Sequence, residues 1–415
     1  LNSGYSIAAG LDEIIDYIKN FKIGESEKEF LRKLGFKENM LNYLKNMKFT
    51  GDIWAIPDGT MIFPNEPIIT VRANAIEAQI IETALLAAFN HASLITTATK
   101  RIVNEAGPRA VMEFGARRSS GIYTSVDSSK YGYLGGCSGT SNLQTGYEEG
   151  CKTLGTMAHS FIEMFDSEYE AFLAYAKTYP DSSVFLIDTY DTLRSGLPNA
   201  IRVMKEYLIP NGHKPGGIRI DSGDLAYLTK EARKILDAEG LQDATICVSN
   251  GLKAETIRDL IQQGACIDSF GVGDNIASPM ALQGGVYKLV ATVKNGEYIP
   301  KIKLSNDPIK TTNPGFKNVY RFYDKNTGKA IGDVITLHNE IVDLNGYTLI
   351  DPIHPERQKE IKNYTVRKLQ VPIFEGGELV YNQPSLMERR DYCISEFETL
   401  YPEITRLMNP EKYIV

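Results

Sequence analysis

The sequence Val184-Phe185-Leu186-Ile187-Asp188-Thr189-Tyr190-Asp191 begins a pattern that occurs four times between residues 184 and 274. In each instance a short apolar run is followed directly by a cluster of polar residues. The other three pairs of run and cluster are residues 217–220 with 221–224, 246–248 with 249–250, and 267–270 with 271–274. This arrangement is typical of a parallel barrel or sheet that carries its active groups at the carboxyl ends of the strands. We therefore expect polar groups from four strands to converge on one ligand.

The intervals between these clusters have apolar residues at helical spacing. We expect helices at residues 197–208, 225–238 and 254–263. The last two intervals are followed closely by Gly240 and Gly264, and glycine suits the left-handed position after a helix. The alternation of strand and helix predicts an α/β fold.

The bulk composition excludes several classes of protein. A hydrophobic fraction of 43% and a charged fraction of 23% are ordinary for a globular protein. The net charge of −7 argues against bulk nucleic-acid binding but permits a local site for an anionic ligand. No apolar run reaches the roughly 18 residues that a membrane span needs, and we recognise no secretory leader. The 5 cysteines form no C-x-x-C pair, which predicts a cytoplasmic protein without a zinc site.

The chain divides into three blocks by pattern. Residues 1–107 read as mixed α and β, residues 108–298 carry the repeated strand-and-polar pattern, and residues 299–415 return to strands and turns. The chain begins with Leu1 rather than Met, so we expect a native amino-terminal piece to precede it.

Two motifs outside the four clusters offer chemistry. Arg117 and Arg118 follow a strand-like run and Gly115, so they could hold a pyrophosphate or a carboxylate, or they could be solvated charges at a helix start. Thr156 and His159 lie in Gly155-Thr156-Met157-Ala158-His159-Ser160, where the hydroxyl could donate to a carboxylate and the imidazole could act as a base or accept a phosphate. A histidine in an apolar context is more often a packed, hydrogen-bonded residue.

The cluster around Arg219 is the most specific of the four. Arg219 and Asp221 are two residues apart and share one face of a strand. Asp221 and Asp224 suit a cationic transition state or a Mg²⁺-bound sugar phosphate, although Asp224 could simply cap the following helix. Gly271 and Gly273 could form a phosphate nest. The sequence lacks the G-x-x-x-x-G-K-[ST] pattern, so any ATP binds without a P-loop.

Taken together, these motifs resemble those of the nicotinate phosphoribosyltransferase family. The matching segments, in chain order, are Gly4-Tyr5-Ser6-Ile7-Ala8-Ala9-Gly10, Glu113-Phe114-Gly115 with Arg117-Arg118, Gly139-Thr140-Ser141-Asn142, Gly155-Thr156-Met157-Ala158-His159-Ser160, Asp188-Thr189-Tyr190-Asp191, Arg219-Ile220-Asp221-Ser222-Gly223-Asp224, Ser249-Asn250 and Gly271-Val272-Gly273. The resemblance implies the type II phosphoribosyltransferase fold, in which an irregular α/β barrel is joined to a second α/β domain built from both chain ends. It also implies a homodimer with its sites at the interface.

The resemblance further implies a reaction. Members of this family join nicotinate to phosphoribosyl pyrophosphate, releasing nicotinate mononucleotide and pyrophosphate in the first step of NAD salvage from nicotinate. They couple it to ATP hydrolysis through a phosphorylated histidine, which the match places at His159. By the same match Thr156 and Arg219 hold the nicotinate carboxylate, and Asp188 belongs to the substrate site. The residues implied for the 5-phosphate are Ser249, Asn250, Gly271 and Gly273.

The remaining roles are our hypotheses from chemistry. We expect Asp221 and Asp224 to stabilise positive charge on the ribose or to hold its hydroxyls. Arg117 or Arg118, together with Mg²⁺, would neutralise the leaving pyrophosphate. We find no direct metal-binding motif and expect Mg²⁺ to bind through the pyrophosphate, with Asp221 as a possible protein ligand.

Two features depart from the family pattern. A segment with Leu-Thr-Asp and a ring-stacking Tyr usually begins the family's chains, and nothing here matches it. Asp274 occupies a position where family members often have Thr, so it should face a metal or point away from the phosphate.

Three alternatives remain open at this point. A sugar-phosphate aldolase or isomerase would share the strand pattern, but such barrels commonly need a Lys or Glu base that the four clusters lack. A non-catalytic nucleotide-binding regulator would use the same site without releasing pyrophosphate. Nicotinamide or quinolinate could replace nicotinate, although a single arginine at position 219 favours one carboxylate.

Overall fold

The computed structural model describes residues 4–281, 283–304, 313–343, 345–351, 355–356 and 358–415. The chain forms two compact units, one made of Ile95–Met280 and the other of Leu1–Leu94 together with Ala281–Val415. The second unit is therefore built from both chain ends. The boundaries between the units lie after residues 94 and 280, whereas the sequence pattern placed block boundaries after residues 107 and 298.

The strands belong to several separate sheets. In chain order they are β1 Ser6–Ile7, β2 Asp52–Ala55, β3 Met61–Ile62, β4 Ile69–Arg72, β5 Ala110–Glu113, β6 Gly139–Thr140, β7 Val184–Leu186, β8 Gly217–Ile220, β9 Thr245–Ser249, β10 Ser269–Val272, β11 Ala291–Lys294, β12 Glu297–Pro300, β13 Lys317–Asp324, β14 Ala330–Leu337, β15 Tyr347–Ile350, β16 Gln358–Ile361, β17 Tyr364–Lys368, β18 Val371–Glu375 and β19 Glu378–Leu379.

The helices alternate with the strands in the unit formed by residues 95–280. In chain order the α-helices are α1 Leu11–Asn20, α2 Glu25–Lys33, α3 Glu38–Asn46, α4 Ala75–Ile80, α5 Glu82–Ala106, α6 Ile122–Leu134, α7 Leu143–Glu149, α8 His159–Glu163, α9 Glu168–Thr178, α10 Leu197–Val203, α11 Leu225–Ala238, α12 Ala254–Gln262, α13 Asp274–Ala277, α14 Leu386–Glu398 and α15 Pro402–Thr405. Short 3₁₀ turns occur at Ala116–Arg118, Pro180–Ser182 and Ile209–Asn211, and π-helical turns at Thr192–Gly196 and Met204–Leu208.

The unit of residues 95–280 contains a sheet of six parallel strands in the order β6-β5-β10-β9-β8-β7. In the described residues the edge strands β6 and β7 are not paired with each other. Arg219 pairs in register with Leu186 on one side and with Cys247 on the other. Because all six strands run in the same direction, their carboxyl ends meet at one edge. The sequence prediction of a parallel α/β arrangement is confirmed.

A close backbone contact fixes the loop that follows β7. The ideal Cβ position at Gly196 lies 1.9 Å from the carbonyl oxygen of Ile187, so no other residue fits without displacing the backbone. The π-helical turn Thr192–Gly196 therefore packs directly on the end of β7. Asp191 caps this turn by accepting hydrogen bonds from the amides of Leu193 and Arg194. Isolated π turns often mark functional sites.

The unit built from both chain ends contains antiparallel sheets, with strand orders β19-β18-β2-β4 and β14-β13-β17 among the larger ones. Its core includes the apolar stripe of α1, whose residues Leu11, Ile14, Ile15 and Ile18 are buried as their spacing of three and four predicts. The unit also encloses a charged side chain, since Arg321 of β13 is fully buried.

One stretch of the described chain, Ala75–Ala106, is long and apolar enough to cross a membrane by length and composition, and 44% of its most apolar window is buried. A core helix of a globular protein passes the same test, so this finding alone does not establish a membrane span.

Candidate active site

The loops after β7 and β8 are joined through one carboxylate. Asp188 Oδ2 accepts a hydrogen bond from the amide of Asp221 at 3.0 Å and another from Ser222 Oγ at 2.5 Å. The Asp188 side chain is only 2% exposed. Its other oxygen, Oδ1, is buried without a hydrogen-bond partner in the part of the chain that the structure describes. The site therefore contains a fixed carboxylate with one free oxygen.

Arg219 connects β8 to β9 and to the segment before α8. Its Nε donates to Ser249 Oγ at 2.8 Å, and its Nη2 donates to Asp221 Oδ1 at 3.1 Å. Its Nη1 donates to the carbonyl oxygen of Met157 at 3.4 Å. Ser249 Oγ also donates to Asp221 Oδ1. Asp221, Arg219 and Ser249 thus form one network, as their positions at strand ends predict.

His159 is the first residue of α8 and lies against this network. Its Nδ1 shares a hydrogen bond of 3.1 Å with Thr189 Oγ1. Its Nε2 lies 3.9 Å from Asp188 Oδ1 and 3.8 Å from Asp221 Oδ2. The imidazole remains 40% exposed, so a ligand can reach it. The pattern around His159 predicted a base or a phosphate acceptor, and the structure places this ring beside two carboxylates.

Thr156 stands just before Met157, whose carbonyl accepts from Arg219. The hydroxyl of Thr156 is buried and has no hydrogen-bond partner among the residues described. A buried hydroxyl without a partner is costly, and a ligand oxygen would satisfy it.

Two residues to which the sequence analysis assigned no role support this site. Thr189 contacts His159, as described above. Glu168, in the first turn of α9, is buried and accepts hydrogen bonds from Ser195 Oγ and from Asn199 Nδ2. An acidic residue in a first helical turn normally complements the helix dipole. The sequence around Glu168 therefore did not indicate that its carboxylate binds Ser195 and Asn199.

A second cluster forms where β5 and β6 end. Glu113 is fully buried and accepts from the amide of Gly115 and from Thr140 Oγ1, the latter at 2.5 Å. It thereby holds the turn that presents Arg117 and Arg118, both of which are exposed. Arg118 Nε lies 2.9 Å from Asp274 Oδ1. In this structure Asp274 is thus paired with an arginine predicted to bind pyrophosphate.

Other predicted residues have local structural roles. Asp224 Oδ1 accepts from the amide of Tyr227 at 3.0 Å and caps α11, which was the alternative interpretation of this residue. Asn250 is exposed and has a left-handed backbone with φ 97°. Gly271 lies within β10, and a Cβ there would come 2.8 Å from the ring of Phe114, while one at Gly273 would come 3.2 Å from the Phe114 carbonyl oxygen.

The described residues contain no group of three or more His, Cys, Asp or Glu side chains that could hold a metal ion.

Comparisons with known proteins decide the family. The model of the nicotinate phosphoribosyltransferase family matches residues 109–337, and models of the family's N-terminal and C-terminal domains match residues 1–90 and 316–415. The chain belongs to the nicotinate phosphoribosyltransferase family. ATP coupling is typical of this family.

Individual members agree with this assignment. Nicotinate phosphoribosyltransferase of Bacillus subtilis is 41% identical over 419 residues, covering 100% of this chain and 84% of the relative. The crystal structure of human nicotinic acid phosphoribosyltransferase superposes with a TM-score of 0.86 at 28% identity, over 99% of this chain and 90% of the human chain. Nicotinate-nucleotide pyrophosphorylase from Pyrococcus furiosus has a TM-score of 0.69 at 23% identity, over 95% and 85% of the two chains, which is a likeness of fold.

Proposed function

We propose that this chain joins nicotinate to phosphoribosyl pyrophosphate, giving nicotinate mononucleotide and pyrophosphate, with coupled hydrolysis of ATP. The observation that carries the proposal is the convergence of His159, Asp188, Arg219 and Asp221 at the carboxyl ends of the parallel strands in a chain of this family. The reaction belongs to NAD salvage, and we place it in the cytoplasm.

The nicotinate carboxylate is assigned to Arg219 and Thr156. Arg219 supplies positive charge, and the buried hydroxyl of Thr156 has no protein acceptor in the described residues. A guanidinium binds a carboxylate more strongly than it binds a neutral amide, which favours nicotinate over nicotinamide. Asp188 is assigned to the same pocket through its contact with the Asp221 loop.

The phosphoribosyl end of the substrate is assigned to the loops after β9, β10 and β5. Ser249 and Gly271 lie in the adjacent strands β9 and β10, Asn250 and Gly273 directly follow these strands, and the four residues would bind the 5-phosphate. Arg117 and Arg118 would neutralise the pyrophosphate, and Asp274 would have to release Arg118 for this purpose. Asp221 and Asp224 would stabilise the positive charge that develops on the ribose as pyrophosphate leaves.

A magnesium ion fits the free oxygens at this edge. Asp188 Oδ1 is buried without a partner among the described residues, and Asp221 Oδ2 lies on the same side of His159. Mg²⁺ commonly binds one or two carboxylates together with substrate phosphates, so these two aspartates would hold it. Bound there, it would neutralise phosphate charge during transfer.

We expect His159→Ala to abolish transfer of the γ-phosphoryl group of ATP to the protein, because the side chain that accepts it is gone. The measurement is incorporation of γ-labelled ATP into purified protein, followed by acid treatment to identify a phosphoramidate. His213→Ala is the matched control, since His213 is paired with Asp181. Full labelling of His159→Ala would place the phosphate on another residue.

Product formation separates the proposed enzyme from the two alternatives. The protein is mixed with labelled nicotinate, phosphoribosyl pyrophosphate and Mg²⁺, with and without ATP, and both the mononucleotide and pyrophosphate are measured. A nucleotide-binding regulator would bind the mononucleotide and release no pyrophosphate. An aldolase or isomerase would leave both substrates unchanged.

We further propose that the chain forms a homodimer through α6 and α7. These helices follow β5 and β6, and Asn142 Nδ2 joins them by donating to the carbonyl of Ser125 at 3.1 Å. Their surface carries four large apolar side chains with high exposed fractions, at Ile122 85%, Tyr123 88%, Leu143 73% and Tyr147 86%. Such a patch usually marks an interface. Because both helices begin beside the carboxyl ends of site strands, a partner here would border the active site.

We expect Tyr147→Lys to convert the dimer to a monomer, since a buried lysine without a partner would oppose association. Size-exclusion chromatography with light scattering gives the mass directly. Tyr227→Lys, on the exposed surface of α11, is the control and should leave the mass unchanged. A wild-type protein that is monomeric at high concentration would refute the dimer.

A further inference from the structure

We propose that Thr189 is a positioning residue for His159 and directs the phosphoryl group of ATP to Nε2. This inference rests on the proposed function, in which His159 is phosphorylated. It concerns which ring nitrogen reacts and which side chain determines that choice.

The geometry of the ring distinguishes its two nitrogens. Nδ1 lies within hydrogen-bonding distance of Thr189 Oγ1, at 3.1 Å. Nε2 lies 3.9 Å and 3.8 Å from the nearest oxygens of Asp188 and Asp221, which is beyond hydrogen-bonding distance. Thr189 therefore occupies the Nδ1 side of the ring, whereas Nε2 faces the carboxylates of Asp188 and Asp221.

The hydrogen bond to Thr189 engages one of the two ring nitrogens. A neutral imidazole carries one proton, and the nitrogen without it has the nucleophilic lone pair. When Nδ1–H donates to Thr189 Oγ1, the lone pair is on Nε2. The hydroxyl of Thr189 thus occupies Nδ1 and fixes the ring orientation, which leaves Nε2 as the nitrogen that can attack the γ-phosphorus.

The resulting step balances in atoms and electrons. The Nε2 lone pair forms the new P–N bond to the γ-phosphorus of ATP. The bond from that phosphorus to the β–γ bridging oxygen breaks, and its electrons leave with ADP. The proton on Nδ1 stays in its hydrogen bond to Thr189. The carboxylates of Asp188 and Asp221 stabilise the positive charge that the ring gains.

Thr189 is itself held in place by the surrounding loop. It lies between Asp188, whose carboxylate is fixed by Asp221 and Ser222, and the π-helical turn capped by Asp191. Ser195 of that turn donates to the buried Glu168. Since the loop is anchored on both sides of Thr189, its hydroxyl has a defined position relative to α8.

The test compares Thr189→Val, which is similar in shape but lacks the hydroxyl, with Thr189→Ser, which retains it. We expect Thr189→Val to be labelled by γ-labelled ATP about tenfold more slowly, the size of one lost hydrogen bond, and to show some phosphate on Nδ1. Thr189→Ser should restore the rate and the single Nε2 isomer. Thr178→Val, an exposed threonine on α9, is the control and should behave as wild type.

The two phosphohistidine isomers are distinguished by ³¹P NMR of the intact protein, a readout that a purely structural role of Thr189 would not alter. Phosphate on Nδ1 of the wild-type protein would overturn the inference, and so would Thr189→Val that labels Nε2 at the wild-type rate. If Thr189→Val does not fold, the inference is still tested by which phosphohistidine isomer forms on the wild-type protein and by the labelling rate of Thr189→Ser. If γ-labelled ATP does not label the wild-type protein, both the phosphohistidine and this inference are refuted.

Discussion

Asp221→Ala should lower the rate of nucleotide formation by a factor on the order of 10²–10³, corresponding to about 3–4 kcal/mol of transition-state stabilisation. The Asp221 carboxylate is fixed in advance by Arg219 and Ser249, so it needs no reorganisation when positive charge develops on the ribose. The measurement is steady-state release of pyrophosphate at saturating substrates. We expect the loss mainly in kcat.

Two further variants sharpen this experiment. Asp221→Asn keeps the shape of the side chain and removes its charge, so a near-wild-type rate for it would refute the electrostatic role. Asp243→Ala, an exposed aspartate in the connection between α11 and β9, is the matched control. Asp224→Ala separates catalysis from capping, because loss of the cap alone would cost about 1 kcal/mol of stability with little change in rate.

Arg321→Met should lower the free energy of unfolding by about 3–5 kcal/mol, because it leaves buried carboxylates without their counter-charge. Arg321 is fully buried and donates to both oxygens of Asp333, at 2.9 and 2.7 Å, and to the carbonyl of Met61 at 2.8 Å. Carboxylate oxygens of Glu66 and Glu396 lie 3.9 Å from its guanidinium. Burial and the neighbouring Asp333 raise the pKa of Glu66 well above its usual value.

Urea denaturation followed by circular dichroism gives the unfolding free energy of this variant. Arg32→Met is the control, since Arg32 pairs with Glu29 and Glu38 on an exposed helix and surface pairs contribute about 0–1 kcal/mol. A loss for Arg321→Met no larger than that of the control would show that the buried network contributes little.

The sequence predicted those parts of the fold that depend on local pattern. The helix expected at residues 225–238 has the observed bounds Leu225–Ala238, because its apolar spacing is regular and both ends carry local signals. The clusters containing Asp188, Arg219, Asp221 and Ser249 meet as expected, since parallel strands bring their carboxyl ends together.

Other features arise only from tertiary packing. The boundary between the two units falls after Leu94, inside the continuous helix α5, where the apolar pattern does not change. Arg321 lies in the strand-like sequence Val319-Tyr320-Arg321-Phe322-Tyr323, where a charge suggests a solvent-facing position, and its carboxylate partners come from distant segments. The contact of Thr189 with His159 likewise joins residues 30 positions apart.

The contact between Gly196 and the carbonyl of Ile187 has a consequence for redesign of the pocket. Since even one methyl group is excluded there, the main-chain path from β7 through Thr189 has little freedom to adopt new shapes. Broadening the substrate range of this enzyme by directed evolution should therefore proceed through exchanges of exposed pocket side chains. Insertions or deletions in this loop should be rejected in selection.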